Sequence, residues 1–256
     1  MRGNRMLAIR NLTQTRRALG ALAAGAAALA LTLAIAAPAL AQAAHPYPER
    51  APLDQYRLPS QADEVALARS AAPPAISDKA EVLVLGAQGY ETAANGTNGF
   101  VCIVERSWAS GFDDAAFWNP KIRGPICFNP ASVRSVLPTY LQRTRWVLAG
   151  DSKAGLVDKT KAAIAAGQIR PPEAGAMCYM MSKGGYLGDD AGGGGHWHPH
   201  LMFFVPHDAA GATAWGANQH GSPVMGGDNT DIDPAVVYFV VVSTWSDGTP
   251  GPMMGM

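Results

Sequence analysis

Short apolar runs, separated by stretches rich in glycine, proline and polar residues, dominate the chain after residue 80. Runs of this kind predict β-strands when turn-forming residues bound them. Asn95-Gly96 and Asn98-Gly99 predict a turn between the first two strands, because asparagine and glycine accept positive φ angles. The predicted strands cover 81–85, 100–105, 176–181, 201–205 and 236–242.

Capping residues predict helices between these strands. Ser60, Asn129 and Asp151 have side chains that accept hydrogen bonds from the first turn of a helix, and Pro130 fits the first helical position. The predicted helices run from 61 to about 70, from 130 to about 148 with a break at Pro138, and from 152 to 166. Helices grouped between strands, without regular alternation, indicate a single α+β domain with a mainly antiparallel sheet and a central helical insertion.

The first 43 residues have the order of a cleavable signal peptide. Five arginines and no acid stand in 1–17, an uncharged run rich in alanine and leucine covers 18–37, and alanines occupy 39, 41 and 43. This order is typical of export signals, and the retained membrane anchor is disfavoured because alanine and glycine contribute little to a membrane span. Arg16-Arg17 also resembles a twin-arginine signal, so both export routes stay open. We expect a soluble periplasmic or secreted protein without a stable membrane anchor.

The chain after the signal divides into a leader and one domain. Residues 44–75 begin with a proline-rich stretch and include the first helix, so we expect an extended leader on the surface. Residues 76–256 are predicted to form the α+β domain. The chain after residue 43 holds 15 basic and 20 acidic side chains. An acidic chain without a run of Lys or Arg offers no electrostatic surface for nucleic acid or anionic lipid.

Three cysteines lie in the part of the chain expected to be exported. An oxidising compartment favours pairing, and we expect Cys102 to pair with Cys127, because these two bracket an aromatic segment with many glycine and proline breaks. Cys178 lies within the apolar run 176–181 and is expected to be a buried, unreactive thiol. The absence of a C-x-x-C motif argues against a redox-active dithiol.

Three of the six histidines, His196, His198 and His200, stand at a spacing of two. Alternate side chains of an extended segment project to the same side, so the three imidazoles are expected to converge. Neutral imidazole nitrogens bind zinc, copper, nickel or iron. The candidates to complete the shell lie on flanking loops and are His207, His220, Asp189, Asp190, Asp228, Asp231 and Asp233. The pattern predicts a transition-metal site. Ordinary hydrogen-bonded or solvated histidines at the start of a strand are the alternative.

A second functional hypothesis involves no metal ion. In it the chain is an exported interaction or small-ligand-binding domain, and Trp197, Trp215 and Trp245 line an apolar surface. Catalytic and nucleotide-binding signatures such as G-x-S-x-G, H-E-x-x-H and G-x-x-x-x-G-K are absent. The sequence therefore predicts no particular reaction.

Three short segments resemble parts of exported bacterial proteins of uncharacterised function. They are the segments 98–102 (Asn-Gly-Phe-Val-Cys), 177–182 (Met-Cys-Tyr-Met-Met-Ser) and 198–203 (His-Pro-His-Leu-Met-Phe). The resemblance implies the exported compartment and brings no activity with it.

Overall fold

An eight-stranded sheet forms the centre of the described part of the chain. The structure is a computed structural model that describes residues 47–188, 197–207, 212–227 and 232–252. The predicted export signal and His196 lie outside these ranges. The strands are β1 (Glu81–Leu85), β2 (Tyr90–Ala94), β3 (Val101–Glu105), β4 (Gly124–Phe128), β5 (Met177–Met180), β6 (His200–Pro206), β7 (Val224–Gly226) and β8 (Ala235–Val241). The α-helices are α1 (Gln61–Arg69), α2 (Pro74–Ser77), α3 (Pro130–Ser135), α4 (Leu137–Leu148) and α5 (Lys153–Ala165).

The sheet is mixed, with a single parallel pair among the described strands. The strand order is β2-β1-β3-β4-β5-β6-β8-β7. β1 and β3 run parallel, and every other neighbouring pair is antiparallel. The helices α3, α4 and α5 are inserted between β4 and β5. The predicted single α+β domain, with a mainly antiparallel sheet and a central helical insertion, is confirmed.

The turn predicted between the first two strands does not close a hairpin between them. β2, which the apolar pattern did not predict, pairs with β1, and the chain then crosses to β3. Gly99 adopts a positive φ of 76°. A Cβ on Gly96 would lie 2.1 Å from the backbone nitrogen of Glu81, so glycine lets the crossing chain pass close to the start of β1.

Two of the three predicted helix caps are confirmed. The Ser60 hydroxyl accepts a hydrogen bond from the backbone of Asp63 at 3.1 Å, and the Asn129 side chain accepts one from Ser132 at 2.9 Å. The third cap is shifted by one residue, because Ser152 rather than Asp151 caps α5. Asp151 instead forms an ion pair with Lys159.

Helices cover both faces of the sheet. α1 packs against β1, β3 and β4, where Ala68 and Val104 are fully buried. α3 and α4 lie over the opposite face, where Leu137 joins the core that contains Ile103. Successive residues of a strand point to opposite faces, so Val104 faces α1 while Ile103 and Glu105 face α4.

Part of the predicted leader is built into the core. Leu53–Tyr56 form a 3-10 helix, and Tyr56 is fully buried. Its ring centroid lies 4.8 Å from that of Trp108, and its hydroxyl donates to the carbonyl of Trp118 at 2.8 Å. Asp54 and Gln55 of this segment are exposed, so the segment lies on the surface and one large aromatic side chain anchors it.

The cysteines are arranged as predicted. Cys102 on β3 and Cys127 on β4 are register partners and form a disulfide. Cys178 on β5 is a free thiol that is fully buried. Within the described ranges, no helix has the length and apolar character needed to cross a membrane.

Candidate functional site

A pocket of about 610 Å³ lies between the sheet and α4. This volume falls within the range of small-molecule sites, roughly 300–1,000 Å³. Strands β3, β5, β6 and β8 contribute its floor, α4 contributes its roof, and the segment 106–111 contributes a wall. The lining side chains discussed below are Tyr90, Glu105, Trp108, Tyr140, Arg143, Met180, His200, Met202, Phe204, Asp233, Val237 and Phe239.

The floor of the pocket is apolar because it is built from alternate strand positions. Met202 of β6 pairs in register with Phe239 of β8, and Phe204 pairs with Val237. Directly opposed residues of an antiparallel pair point to the same face. Met180 of β5 extends this surface towards the middle of the sheet. The floor therefore favours a ligand with a substantial apolar part.

Glu105 places a carboxyl group on this floor. It ends β3 and faces Gly124 of β4, where a Cβ would stand 2.5 Å from the Cγ and 2.6 Å from the Oε1 of Glu105. Glycine thus provides the space that the glutamate side chain occupies. Within the described residues, the carboxyl has no side-chain hydrogen bond and no ion pair. Burial raises the pKa of Glu105 to about 8, so the group is mostly protonated at neutral pH.

Tyr140 adds a second polar group at the same end of the pocket. Its ring packs edge-on against Phe128 with 5.2 Å between the centroids. Burial and, after it, the charge of Glu105 raise the pKa of Tyr140 well above its usual value. The hydroxyl is therefore a neutral donor, and it has no hydrogen-bond partner in the described part of the chain. By contrast, the hydroxyl of Tyr90 donates to the carbonyl of Val104 at 2.6 Å.

An ion pair between Arg143 and Asp233 forms one side of the pocket. Arg143 Nη2 donates to Asp233 Oδ2 at 2.6 Å, and only 3% of the arginine side chain is exposed. Arg143 Nη1 also donates to the carbonyl of Ser110 at 3.1 Å, and the guanidinium lies 4.4 Å from the ring centre of Phe112. Arg143 Nε and Asp233 Oδ1 are buried and have no partner among the described residues.

His200 supplies an imidazole at the other end of the floor. Its Nδ1 lies 2.8 Å from the carbonyl oxygen of His198. Because a carbonyl only accepts, Nδ1 carries the hydrogen and Nε2 of the neutral ring is an acceptor. Burial lowers the pKa of His200, which favours this neutral form. The ring makes edge contacts with Trp197 and Phe239.

The predicted histidine cluster is only partly within the described chain. His196 lies outside it, while His198 is half-buried and its Nδ1 has no partner among the described residues. His200 turns its Nδ1 towards the backbone of His198. In the described ranges, no group of three or more His, Cys, Asp and Glu is arranged to hold a metal ion. The transition-metal site stays a prediction.

Of the three tryptophans expected to share one apolar surface, Trp197 and Trp245 join the same core cluster, while Trp215 packs elsewhere. Trp197 is buried and donates to the carbonyl of Ser182 at 2.7 Å. Trp215 is exposed and stacks on Tyr238 with 4.5 Å between the centroids, and Trp245 packs against the main core. None of the three is among the described residues that line the pocket.

Sequence reasoning missed the pocket residues Glu105, Tyr140 and Arg143 and considered Asp233 only as a metal ligand. One signal was available for Glu105. It follows Val101 and Ile103 at every second position of a predicted strand, so alternation places it on their buried face. An acid on a buried face without a local partner is a candidate functional group.

Comparison with known proteins gives no match. No family model, no curated protein sequence and no solved structure is significantly similar to the chain.

Proposed function

We propose that this chain is an exported protein that binds a small, mainly apolar molecule in the pocket under α4. The observation that carries the proposal is a pocket of about 610 Å³ whose apolar floor holds polar groups without protein partners in the described chain. These groups are the Glu105 carboxyl, the Tyr140 hydroxyl and Nε2 of His200. A cavity with few convergent polar groups on apolar walls is typical of ligand sites.

A purely structural role does not account for these groups. Glu105 and Tyr140 are partly buried. Withdrawing a hydroxyl or a carboxyl from water without a hydrogen bond costs up to about 1–3 kcal/mol, so apolar side chains would serve stability better at these positions. The cost is offset when a ligand supplies the missing partners. The polar groups of the pocket are therefore better explained by binding than by folding.

The spacing of the polar groups favours binding over acid–base catalysis by Glu105 and His200 together. β3 and β6 are separated by β4 and β5, and three strand spacings correspond to roughly 14 Å. Two groups so far apart do not act on one reacting atom, since proton transfer requires hydrogen-bond distance. They suit the two ends of one elongated ligand.

The pocket proposal is tested with N-phenyl-1-naphthylamine, an uncharged probe that fluoresces in apolar surroundings. Val237 lines the pocket, whereas Val236 points to the opposite face of β8. We expect the wild type to bind the probe, V237W to weaken binding by about tenfold by filling the pocket, and the matched control V236W to bind like the wild type. Thermal melting verifies that both variants fold. No binding to the wild type, or equal effects of the two substitutions, would overturn the proposal.

Export is tested by N-terminal sequencing of protein recovered outside the cytoplasm of a bacterial host. The sequence supports cleavage after Ala41 or Ala43, so the mature chain is expected to begin at Gln42 or Ala44. A recovered chain that retains Met1 would contradict the export proposal. A chain confined to the cytoplasm would do the same.

A transition metal is the second candidate, favoured by the buried Nδ1 of His198, which has no partner in the described chain. A metal ion would satisfy this nitrogen, with His196 and further donors completing the shell. Metal analysis of the purified protein should then find bound zinc, copper, nickel or iron that is lost in H198A. R145A removes an exposed arginine, which is not a metal ligand, and is the control. A wild-type protein without bound metal would contradict the metal-binding proposal.

A further inference from the structure

Two of the arginines that line the pocket are paired with acids, whereas the Glu105 carboxyl is not. Arg143 is paired with Asp233, and the buried Arg106 is paired with Glu64 at 2.9 Å. Glu105 has no cation beside it in the described chain, and burial is the cause of its raised pKa. The Glu105 carboxyl thus has no counter-charge within ion-pair distance in the described protein. The lining residues Asp114 and Arg170 also stand outside the ion pairs of the described chain.

The surroundings of Glu105 suit a cation. Tyr90 and Tyr140 lie at the same end of the pocket. Burial raises the pKa of both hydroxyls, and the charge of Glu105 adds a smaller increase. Aromatic rings attract ammonium groups through their electron-rich faces. The adjoining floor of Met180, Met202 and Phe204 is apolar, so a cation that enters must carry an apolar body.

On the premise of the proposed small-molecule function, we infer that the occupant of this pocket is an apolar amine whose ammonium group pairs with the Glu105 carboxylate. The ammonium donates hydrogen bonds to the carboxylate oxygens and supplies the missing positive charge. The hydrocarbon body of the amine lies on the floor of β5, β6 and β8. Glu105 is the residue that determines specificity for the charged head group.

The competing ligand classes differ in the protonation state of Glu105 that they favour. A carboxylic acid ligand is compatible only with the protonated form of Glu105, because the ionised form would place a like charge against the ligand. An alcohol offers a hydrogen bond to the protonated carboxyl without any change of charge. Only an amine draws the proton away from Glu105, because the ionised carboxylate is the form that pairs with ammonium.

The inference is tested with three probes that share one skeleton, 4-phenylbutylamine, 4-phenylbutan-1-ol and 4-phenylbutanoic acid. Isothermal titration calorimetry at pH 7 should rank the amine first, at least about tenfold tighter than the alcohol. Titration in buffers of different ionisation enthalpy should reveal release of close to one proton when the amine binds, since Glu105 with a pKa of about 8 starts mostly protonated. The alcohol should release none. The proton measurement uses the wild type and needs no variant.

The variant E105Q keeps the shape of the side chain and removes its charge. It should lower the affinity for the amine by about tenfold or more, abolish the proton release and leave the affinity for the alcohol nearly unchanged. E91Q is the matched control, because Glu91 is an exposed glutamate on the edge strand β2 and does not line the pocket. Its affinities for the three probes should equal those of the wild type.

The outcomes separate this inference from the proposed function. If the alcohol binds as tightly as the amine, or if amine binding releases no proton, the amine inference is wrong while the apolar pocket stands. If N-phenyl-1-naphthylamine fails to bind the wild type, the pocket proposal fails and the amine inference with it.

Discussion

Glu105 and Gly124 face each other on neighbouring strands, and the glutamate side chain fills the space that a Cβ on Gly124 would occupy. The added carbon would stand 2.6 Å from Oε1 of Glu105. Glycine at 124 therefore positions the carboxyl over β4 and towards the pocket. Two residues that are 19 positions apart in the sequence together create the acidic end of the site.

The substitution G124A should displace the Glu105 carboxyl without closing the pocket. Gly124 has no positive φ that alanine would have to adopt, so the effect comes from contact with the glutamate. We expect the affinity for 4-phenylbutylamine to fall by about fivefold to tenfold and that for the matching alcohol to change little. Calorimetry measures both. The control G155A adds a methyl group on α5 where the nearest atom is 3.4 Å away. Equal losses for amine and alcohol would contradict this placement of Glu105.

The stability of the wild type relative to E105Q should depend on pH. The folded-state pKa of Glu105 is raised from 4.5 to about 8, so the folded protein binds the proton more tightly than the unfolded chain. Its stabilising contribution is complete below pH 4.5 and is lost as the pH rises to about 8. E105Q should thus gain about 1.4 kcal/mol over the wild type per pH unit in this window. Urea unfolding from pH 5 to 9 measures the difference. A constant difference would disprove the raised pKa.

Removing one partner of the buried ion pair should destabilise the fold. R143M would leave Asp233 unpaired beside the pocket and remove the hydrogen bond to the carbonyl of Ser110. We expect a loss of about 3 kcal/mol in the free energy of unfolding. R145M, two residues further along α4, changes an exposed arginine and is the control. Chemical denaturation measures both. A loss no larger than that of R145M would show that the ion pair does not hold α4 to the segment before β8.

The number of reactive thiols should show that Cys178 is free and buried, and that Cys102 and Cys127 are paired. Burial raises the pKa of the Cys178 thiol, and the other two sulfurs form the disulfide. Ellman's reagent should find no fast-reacting thiol in the native protein and a single thiol after unfolding. The double variant C102A/C127A should lose about 3 kcal/mol of stability, because the disulfide closes a loop of about 25 residues. A fast-reacting thiol in the native protein would contradict the buried position of Cys178.

Local signals predicted much of the fold. The caps at Ser60 and Asn129 predicted their helices correctly, because a cap requires only residues within one turn. The apolar runs that became β5, β6 and β8 were recognised from their composition. β2 was missed because it is an edge strand with exposed Glu91 and Thr92, so it lacks the apolar run that marks a buried strand.

Long-range features of the fold and the site were harder to predict. β4 begins with Gly124-Pro125, a pair that reads as a turn, yet it is fully buried in the middle of the sheet. The parallel pairing of β1 and β3 depends on β2 and on the crossing at Gly96. The acidic end of the pocket depends on Glu105, Gly124 and Tyr140, which only the tertiary structure brings together. The metal site was predicted from the spacing of His196, His198 and His200 alone. The environment of His200 depends on the pairing of β6 with β8, which the spacing does not reveal.

The most direct test is a carbon-13 NMR titration of the Glu105 carboxyl in the free protein and in the presence of saturating 4-phenylbutylamine. The signal is assigned by its absence from E105Q. We predict a midpoint of about pH 8 in the free protein and a decrease of about two units or more when the amine is bound, because the ammonium group stabilises the ionised carboxylate. A midpoint near pH 4.5 in the free protein, or a midpoint that the amine does not move, would contradict a buried, unpaired carboxyl that receives the ligand.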